Sequence, residues 1–307
     1  MKLAGEVTIY EVGLRDGLQL ESRILNVAEK KRIADQLLKA GVSELEFGSF
    51  VHPKLVPQMA NTAELYTELK QSVSAKLVAL VPNHKGIQLA DDSGVQFINY
   101  VLSASDTHNQ QNVRQTTDES LNQFQKMSQY GFDHGMELNV TVATSFGCPF
   151  EGQVPQSRIM SIIDTLTESN IKRITLADTT GMANPKQVYD LTKAVKDEWR
   201  TMEFGCHFHN TRGMGLANIL AAMEAGITIY DSSIGGLGGC PFAPGATGNV
   251  CTEDVVHMLE EMGVHTAIDL DQLLAASEEM KNRLGHELPG QVMKAGKSSR
   301  LYPIPAQ

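Results

Sequence analysis

The sequence of 307 residues has only four cysteines, and no two of them are spaced as Cys-x-x-Cys. A disulfide-stabilised framework is therefore not expected, and we predict reduced thiols. For Cys206 and Cys251 a buried structural thiol is the simplest interpretation, whereas Cys148 is expected to be structural or to line a site. Cys240 differs from these because it lies in a glycine-rich segment.

The sequence also lacks long apolar runs and an excess of positive charge. No run approaches the roughly 20 apolar residues that span a bilayer, so no membrane partner is expected. The net charge of −10 argues against nucleic acid as the main partner, although it does not exclude an anionic substrate. The N-terminus has no signal-peptide pattern and the C-terminus no retention or peroxisomal tripeptide, so we expect a cytoplasmic protein.

What the sequence does contain is an alternation of short β-branched runs with amphipathic stretches. Eight such units in about 260 residues predict an α/β fold whose parallel sheet closes into a (β/α)8 TIM barrel. A doubly wound open sheet is the alternative, and the lack of a Gly-x-Gly-x-x-Gly turn after the first strand weakens it. The predicted strands are Val7–Val12, Glu44–Phe50, Lys76–Val81, Phe97–Ser103, Glu137–Thr144, Arg173–Asp178, Met202–His209 and Thr228–Ser233.

Caps and glycines mark the ends of several predicted helices. We expect Thr117 and Asn184 to cap helix N-termini, and Gly41, Gly131 and Gly226 to follow helix C-termini. The catalytic barrel is assigned to residues 1–268, and residues 269–307 to a short C-terminal helical extension packed on it. The predicted helices include Ala28–Ala40, Asp118–Gln129, Pro155–Ser169, Pro185–Glu198, Met214–Ala225 and Thr252–Met262.

In such a barrel the chemistry lies at the C-terminal ends of the strands. Arg15 and Asp16 follow the first strand, and this position favours a functional role over a surface ion pair. Glu46 lies between apolar neighbours in the second strand and must face the opposite side from them. A carboxylate facing the barrel lumen needs a partner, and Arg15 is a plausible one.

Two histidines end the seventh strand as His207-Phe208-His209. Residues i and i+2 of a strand point to the same side, so both imidazoles face one region. A single histidine is more often structural, but this pair at a strand end favours a metal site. Asp16 is the natural carboxylate ligand, and such a hard donor set favours Mg²⁺ or Mn²⁺.

A glycine-rich segment follows the eighth strand, from Gly235 to Asn249. It is either a flexible connector or a lid over the site, and the thiol of Cys240 and the amide of Asn249 favour the lid. Cys240 could then act as a general acid or base. Asp178 ends the sixth strand, where it either caps the following turn or takes part in the chemistry.

Together these segments resemble the 3-hydroxy-3-methylglutaryl-CoA lyase family, a group of metal-dependent (β/α)8 barrels. The resemblance extends from Glu11 to about Leu274. Its most specific blocks are GLRDGLQ at 13–19, SFVHPKLVPQM at 49–59, SFGCPFEG at 145–152, LADTTG at 176–181, HFH at 207–209 and GLGGCPFAPGATGN at 236–249.

The resemblance implies cleavage of 3-hydroxy-3-methylglutaryl-CoA, or a close analogue, to acetyl-CoA and a 3-keto acid such as acetoacetate, as in leucine degradation. It also implies a homodimer with one Mg²⁺ or Mn²⁺ per subunit. The implied metal ligands are Asp16, His207, His209 and Asn249. Arg15 would contact the substrate carbonyl or hydroxyl, and Glu46 would be a supporting catalytic group. Cys240 would be the acid or base of the lid. Asp178 would be a further catalytic residue, and Gln19 would bind substrate.

Two positions depart from the family pattern. Asn210-Thr211-Arg212 follows the second histidine, where the family usually has Asp, Thr and Tyr, and His108 stands where an aromatic residue is expected. The acyl group is therefore open, and a citramalyl-like or longer branched 3-hydroxyacyl-CoA is an alternative substrate. Arg212 either pairs with a nearby carboxylate in solvent or binds an anionic group of the substrate.

Two other functions compete with the lyase. Claisen-condensing synthases share this barrel with its Arg-Asp and His-x-His motifs, but their chains usually continue well beyond the barrel. A non-enzymatic scaffold or metal-storage protein would not need metal and acid–base positions together. The Cys240 segment favours the lyase.

Overall fold

The computed structural model describes residues 3–71, 75–239 and 248–304. In it, eight parallel strands form a closed barrel in which each strand pairs with the next and β8 pairs with β1. The predicted (β/α)8 barrel is confirmed, and every predicted strand agrees with the observed one to within one residue at each end. The strands are β1 Thr8–Glu11, β2 Glu44–Ser49, β3 Lys76–Val81, β4 Phe97–Ser103, β5 Glu137–Ala143, β6 Arg173–Asp178, β7 Glu203–Phe208 and β8 Ile229–Ser232.

Helices follow the strands and surround the barrel. A single π turn, Gly13–Gly17, follows β1, and short 3₁₀ turns lie at Pro57–Met59 and Ile234–Gly236. No helix within the described ranges is long and apolar enough to cross a lipid bilayer. The α-helices are α1 Val27–Lys39, α2 Thr62–Leu69, α3 His84–Asp92, α4 Asp106–Val113, α5 Thr117–Asp133, α6 Gln156–Thr167, α7 Pro185–Glu198, α8 Gly215–Glu224, α9 Thr252–Glu261, α10 Leu270–Leu284 and α11 Val292–Ala295.

One of the two predicted helix caps is in place and the other is shifted by one residue. Asn184 caps α7, since its side chain accepts a hydrogen bond from the Gln187 amide at 3.1 Å. Helix α5 is capped by Thr116 instead of Thr117, which is its first helical residue. Thr116 accepts from the Glu119 amide, and the Glu119 carboxylate accepts from the Thr116 amide. This reciprocal pair selects Thr116 because Glu119 lies three residues after it.

Gly41 and Gly226 follow helix ends with φ of +104° and +99°, as expected. The expectation for Gly131 is wrong, because α5 continues past it to Asp133. A Cβ atom at Gly131 would lie 2.4 Å from Leu138 Cδ1. Glycine at this position therefore leaves room for the Leu138 side chain between α5 and β5.

Helix α10, the first helix of the assigned extension, packs against α1 and α9. Its buried residues Leu273, Ala276 and Met280 belong to the same hydrophobic core as the residues around the barrel. The assignment of a separate extension beginning at residue 269 stays a prediction.

Polar side chains face the middle of the barrel lumen. In the strand register, Asp231 on β8 lies between His207 on β7 and Tyr10 on β1. All three are buried. The β2 strand carries a register shift between Glu46 and Gly48, and such bulges often re-aim a side chain beside a functional site.

Candidate metal-binding active site

The turn after β1 presents Arg15 and Asp16 at the mouth of the barrel. Its residues form one π turn, in which the Asp16 amide donates to the Val12 carbonyl at 2.8 Å. Glu11 anchors the turn from below, because its carboxylate accepts from the Gly13 amide at 2.7 Å. The same carboxylate accepts from the Ile234 amide at 2.9 Å, so it ties the β1 turn to the segment after β8.

Arg15 lies between two carboxylates. Its Nε donates to Glu46, and its Nη1 donates to Asp16 Oδ1 at 2.6 Å. Glu46 is fully buried and also accepts from Asn99 Nδ2 at 3.0 Å, while Thr141 donates to the Asn99 oxygen at 3.2 Å. The predicted pairing of Arg15 with a lumen-facing Glu46 is thus present. The supporting pair of Asn99 and Thr141 was not predicted.

Asp16, His207 and His209 form a buried cluster that could hold a metal ion. One potential ligand atom from each lies within 4.8 Å of the others. The two imidazole rings lie 5.1 Å apart between centroids, and His209 Nε2 is 3.9 Å from Asp16 Oδ2. Asn249 completes the group, since its Nδ2 donates to Asp16 Oδ2 at 2.7 Å. The four predicted ligands are therefore brought together.

The donor set fits a divalent cation. The Asn249 Oδ1 atom is buried and has no hydrogen-bond partner among the described residues. A buried amide oxygen without a partner is costly, and a cation beside Asp16 would satisfy it. One carboxylate, one amide oxygen and two imidazoles make a mixed oxygen and nitrogen site.

The electrostatics favour the ligating protonation states of Asp16 and His209. Burial lowers the pKa of His207, but the hydrogen bond and charge of Asp231 outweigh burial and raise it. Burial raises the pKa of Asp16, but the charges of Arg15 and the two histidines outweigh burial and lower it to about 2. Burial, together with the neighbouring His207, lowers the pKa of His209 to about 3. Near neutral pH the carboxylate is therefore ionised and the His209 imidazole neutral, which are the forms that bind a metal.

Asp178 has its carboxylate engaged in the turn that follows β6. Its two oxygens accept from the amides of Met182 and Ala183 at 2.8 and 3.1 Å. Burial raises the pKa of Asp178 to about 6. Its backbone carbonyl accepts from the His209 amide at 3.3 Å, so the turn adjoins the metal cluster. Of the two roles open for Asp178, these contacts favour the cap.

Arg212 is exposed and holds the same turn from the other side. Its Nη1 donates to the carbonyls of Thr180 and Gly181 at 3.1 and 2.8 Å. These are backbone contacts, whereas the sequence suggested a carboxylate or a substrate anion as its partner. Gln19 lies closer to the cluster, since its Nε2 donates to Asp16 Oδ1 at 3.0 Å.

The predicted lid thiol Cys240 lies outside the described residues. Cys148 is buried, and its sulfur accepts from the Ser105 hydroxyl at 2.9 Å and from the Phe150 amide at 3.4 Å. These contacts favour the structural interpretation of Cys148. His108, the second departure from the family pattern, is also buried, and its Nδ1 lies 2.6 Å from the Ser103 hydroxyl at the mouth end of β4.

Three carboxylates around the site were not predicted. Glu11 is the last residue of β1, Asp231 is the penultimate residue of β8, and Glu253 lies in the first turn of α9. Glu253 accepts from the Gly235 amide, and Asp231 lies against His207. The signal that could have found Glu11 and Asp231 is a carboxylate at the C-terminal end of a barrel strand.

Comparison with known proteins agrees with this geometry. The family model HMGL-like matches residues 6–280. The chain belongs to this family. It is 42% identical to an (R)-citramalyl-CoA lyase of Chloroflexus aurantiacus over 94% of this chain and 95% of the relative. It is 38% identical to the hydroxymethylglutaryl-CoA lyase YngG of Bacillus subtilis over 96% of this chain and 98% of the relative.

Comparison with solved structures indicates the same family. An HMG-CoA lyase from Acinetobacter baumannii, in complex with coenzyme A and 3-methylmalate, superposes with a TM-score of 0.94. The two sequences are 42% identical, and the match covers 99% of this chain and 100% of the lyase chain. The predicted family is thereby confirmed, and the lyase branch is favoured over the synthases.

Proposed function

We propose that the protein is a metal-dependent carbon–carbon lyase that cleaves a 3-hydroxy-3-methylglutaryl-CoA-type thioester to acetyl-CoA and an oxo acid. The observation that carries the proposal is the buried cluster of Asp16, His207 and His209, with ligand atoms within 4.8 Å of one another at the barrel mouth. The similarity to enzymes named as lyases of such thioesters supports the choice of substrate class.

Asp16, His207, His209 and Asn249 would hold one Mg²⁺ or Mn²⁺. When bound, such an ion lowers the pKa of a coordinated hydroxyl group and orients neighbouring oxygens. The oxygen donors of Asp16 and Asn249 suit these hard cations.

Cleavage breaks the bond between C2 and C3 of the acyl chain. The C3 hydroxyl releases its proton to solvent and C3 becomes the ketone carbon of the oxo acid, while the electron pair of the broken bond moves to C2 to form the enolate of acetyl-CoA. Arg15 would stabilise the negative charge that develops on the thioester oxygen, and its ion pairs with Glu46 and Asp16 at the mouth support this role. Glu46 thus acts through the position of Arg15.

The enolate carbon must then receive a proton. Cys240 is the proposed donor, because its segment joins β8 to Asn249 in the sequence and a thiol can transfer a proton at neutral pH. Gln19, beside Asp16, is proposed to contact the substrate, and Asp178 and Arg212 to hold the turn after β6 near it.

A second candidate substrate is citramalyl-CoA, which would give acetyl-CoA and pyruvate. His108, which is buried beside Ser103, replaces the expected aromatic residue with a polar side chain, and this departure from the family pattern favours a different acyl group. The relative from Chloroflexus aurantiacus is named for this substrate.

The test is an assay of a small panel of 3-hydroxyacyl-CoA thioesters with Mg²⁺, in which acetyl-CoA and the oxo acid are both identified. Acetoacetate from the 3-hydroxy-3-methylglutaryl thioester supports the first candidate, and pyruvate from the citramalyl thioester supports the second. Lack of cleavage of every thioester in the panel would contradict the proposal. We also propose that the protein is a cytoplasmic homodimer with no nucleic-acid or membrane partner.

A further inference from the structure

Asp231 lies directly behind one of the two histidines of the metal cluster. It is 4% exposed, and its Oδ2 is 3.1 Å from His207 Nδ1. The two residues are register partners on β7 and β8, so the strand pairing itself places the carboxylate beside the ring. The contact is therefore built into the barrel and does not depend on a loop.

This contact decides which ring nitrogen of His207 faces the cluster. An imidazole Nδ1 that lies against a carboxylate carries the proton and donates it. The other nitrogen, Nε2, then has a lone pair available for a cation. Carboxylates in this position behind a metal-bound histidine fix both the tautomer and the orientation of the ring.

His209 has no such support. Its Nε2 faces Asp16 at 3.9 Å, but its buried Nδ1 has no hydrogen-bond partner among the described residues. The two histidines are thus unequal, because within the described residues a carboxylate lies within hydrogen-bond distance of the His207 ring but not of the His209 ring.

The cost of burying Asp231 also points to a function. Its Oδ1 has no hydrogen-bond partner within the described part of the chain, and neither does the hydroxyl of Tyr10, its register partner on β1. A buried carboxylate with one unsatisfied oxygen destabilises a fold. The contact with His207 explains why residue 231 is a carboxylate despite this cost.

We propose that Asp231 is a positioning residue that sets His207 Nε2 toward the divalent cation and thereby raises the affinity of the site. The inference rests on the proposed metal site and deepens it. Asp231 touches neither the cation nor the substrate, and it acts through the imidazole of His207.

The experiment measures Mn²⁺ binding to the purified full chain by isothermal titration calorimetry after removal of bound metal. The variants are Asp231→Asn, which keeps an acceptor but loses the charge, and Asp231→Ala, which loses both. Thr175→Val is the matched control, since Thr175 is a buried β6 residue that is not part of the cluster. Thermal unfolding of each metal-free variant is recorded in parallel.

We expect Mn²⁺ affinity to fall about 10-fold in Asp231→Asn and by up to about 100-fold in Asp231→Ala, the usual range for such supporting groups. Thr175→Val should bind as the wild type does. Metal-free Asp231→Asn should unfold at or above the wild-type temperature, because it removes a buried charge.

Binding within twofold of the wild type in Asp231→Asn would overturn the inference, and so would a loss of metal-free stability with unchanged affinity. If Asp231→Ala does not fold, Asp231→Asn alone decides the question. If the wild type itself binds no Mn²⁺, the proposed metal site fails before Asp231 is tested, so the two failures are distinguishable.

Discussion

Each end of the barrel has an arginine between two carboxylates, but the two clusters are built differently. At the base, Arg173 bonds both oxygens of Glu44, at 2.7 and 3.0 Å, and donates its Nε to Glu203 at 2.5 Å. At the mouth, Arg15 donates to Glu46 through Nε and to Asp16 through Nη1. Its Nη2 has no partner among the described residues.

The difference shows how similar groups can serve stability or chemistry. The Arg173 cluster joins the starts of β2, β6 and β7, and every guanidinium nitrogen is occupied, so it closes the base of the barrel. The Arg15 cluster leaves a donor without a partner among the described residues and adjoins the proposed metal ligands. Arginines with free donors beside a metal site are suited to stabilising negative charge that develops during a reaction.

Among substitutions at the mouth, the largest loss of turnover is expected where the proposed proton donor is removed. We expect Cys240→Ala to lower turnover by about 10²–10⁴-fold, because it removes the proposed acid–base group. Folding and metal affinity should stay near the wild type, as measured by thermal unfolding and Mn²⁺ titration. Unchanged turnover would show that Cys240 is not the acid–base group. Cys148→Ala serves as the control for loss of a thiol elsewhere.

At the mouth, Arg15→Lys tests the role of the guanidinium. Lysine keeps the charge but loses the planar pair of donors, so turnover should fall by about 10²–10³-fold with little change in KM. Steady-state kinetics with saturating Mg²⁺ measures both constants. A rise in KM alone would make Arg15 a binding residue and would contradict its proposed role at the thioester oxygen.

The matched change at the base is Arg173→Lys. It breaks the bidentate contact with Glu44, so the free energy of unfolding should fall by about 1–3 kcal/mol, the usual range for hydrogen bonds to charged groups. Turnover of the folded enzyme should be unchanged. Urea unfolding and steady-state kinetics measure the two effects. Loss of turnover without loss of stability would erase the distinction between the two ends.

A smaller effect is expected from Glu11, the carboxylate beneath the β1 turn. Burial raises its pKa from 4.5 to about 7, so between those pH values the folded protein binds more protons than the unfolded chain. The contribution of Glu11 to stability is therefore fully present below pH 4.5 and decreases as the pH rises toward 7. Glu11→Gln removes this titration and keeps an acceptor for the Gly13 amide.

Urea unfolding of the wild type and Glu11→Gln at several pH values between 5 and 8 measures the effect. The wild type should lose stability relative to Glu11→Gln as the pH rises through about 7. A stability difference that does not change with pH would mean that Glu11 is ionised in the folded protein throughout this range.

The sequence was sufficient for the strands and for most of the ligands, for physical reasons. Strands buried on both faces are short apolar runs, and the residues after them are placed at one end of the barrel by the fold itself. The positions of Asp16, His207 and His209 followed from this rule. Glu46 followed from its alternation with apolar neighbours in β2.

Contacts between side chains on different strands could not be predicted from the sequence in this way. Asn99 reaches Glu46, and Asp231 reaches His207, only because of the register in which β2, β4, β7 and β8 close the barrel. The same limit explains Arg212, whose carbonyl partners belong to the turn after β6. The cap at Thr116 was missed because two threonines stand side by side, and only the reciprocal contact with Glu119 separates them.

The most direct test of the account is the dependence of acetyl-CoA release on a divalent metal. The wild-type enzyme is exhaustively chelated, assayed with 3-hydroxy-3-methylglutaryl-CoA and citramalyl-CoA, and then assayed again after addition of Mg²⁺ or Mn²⁺. We predict that chelation abolishes cleavage and that the added ion restores it at one ion per subunit. Full activity after exhaustive chelation would contradict metal-dependent cleavage.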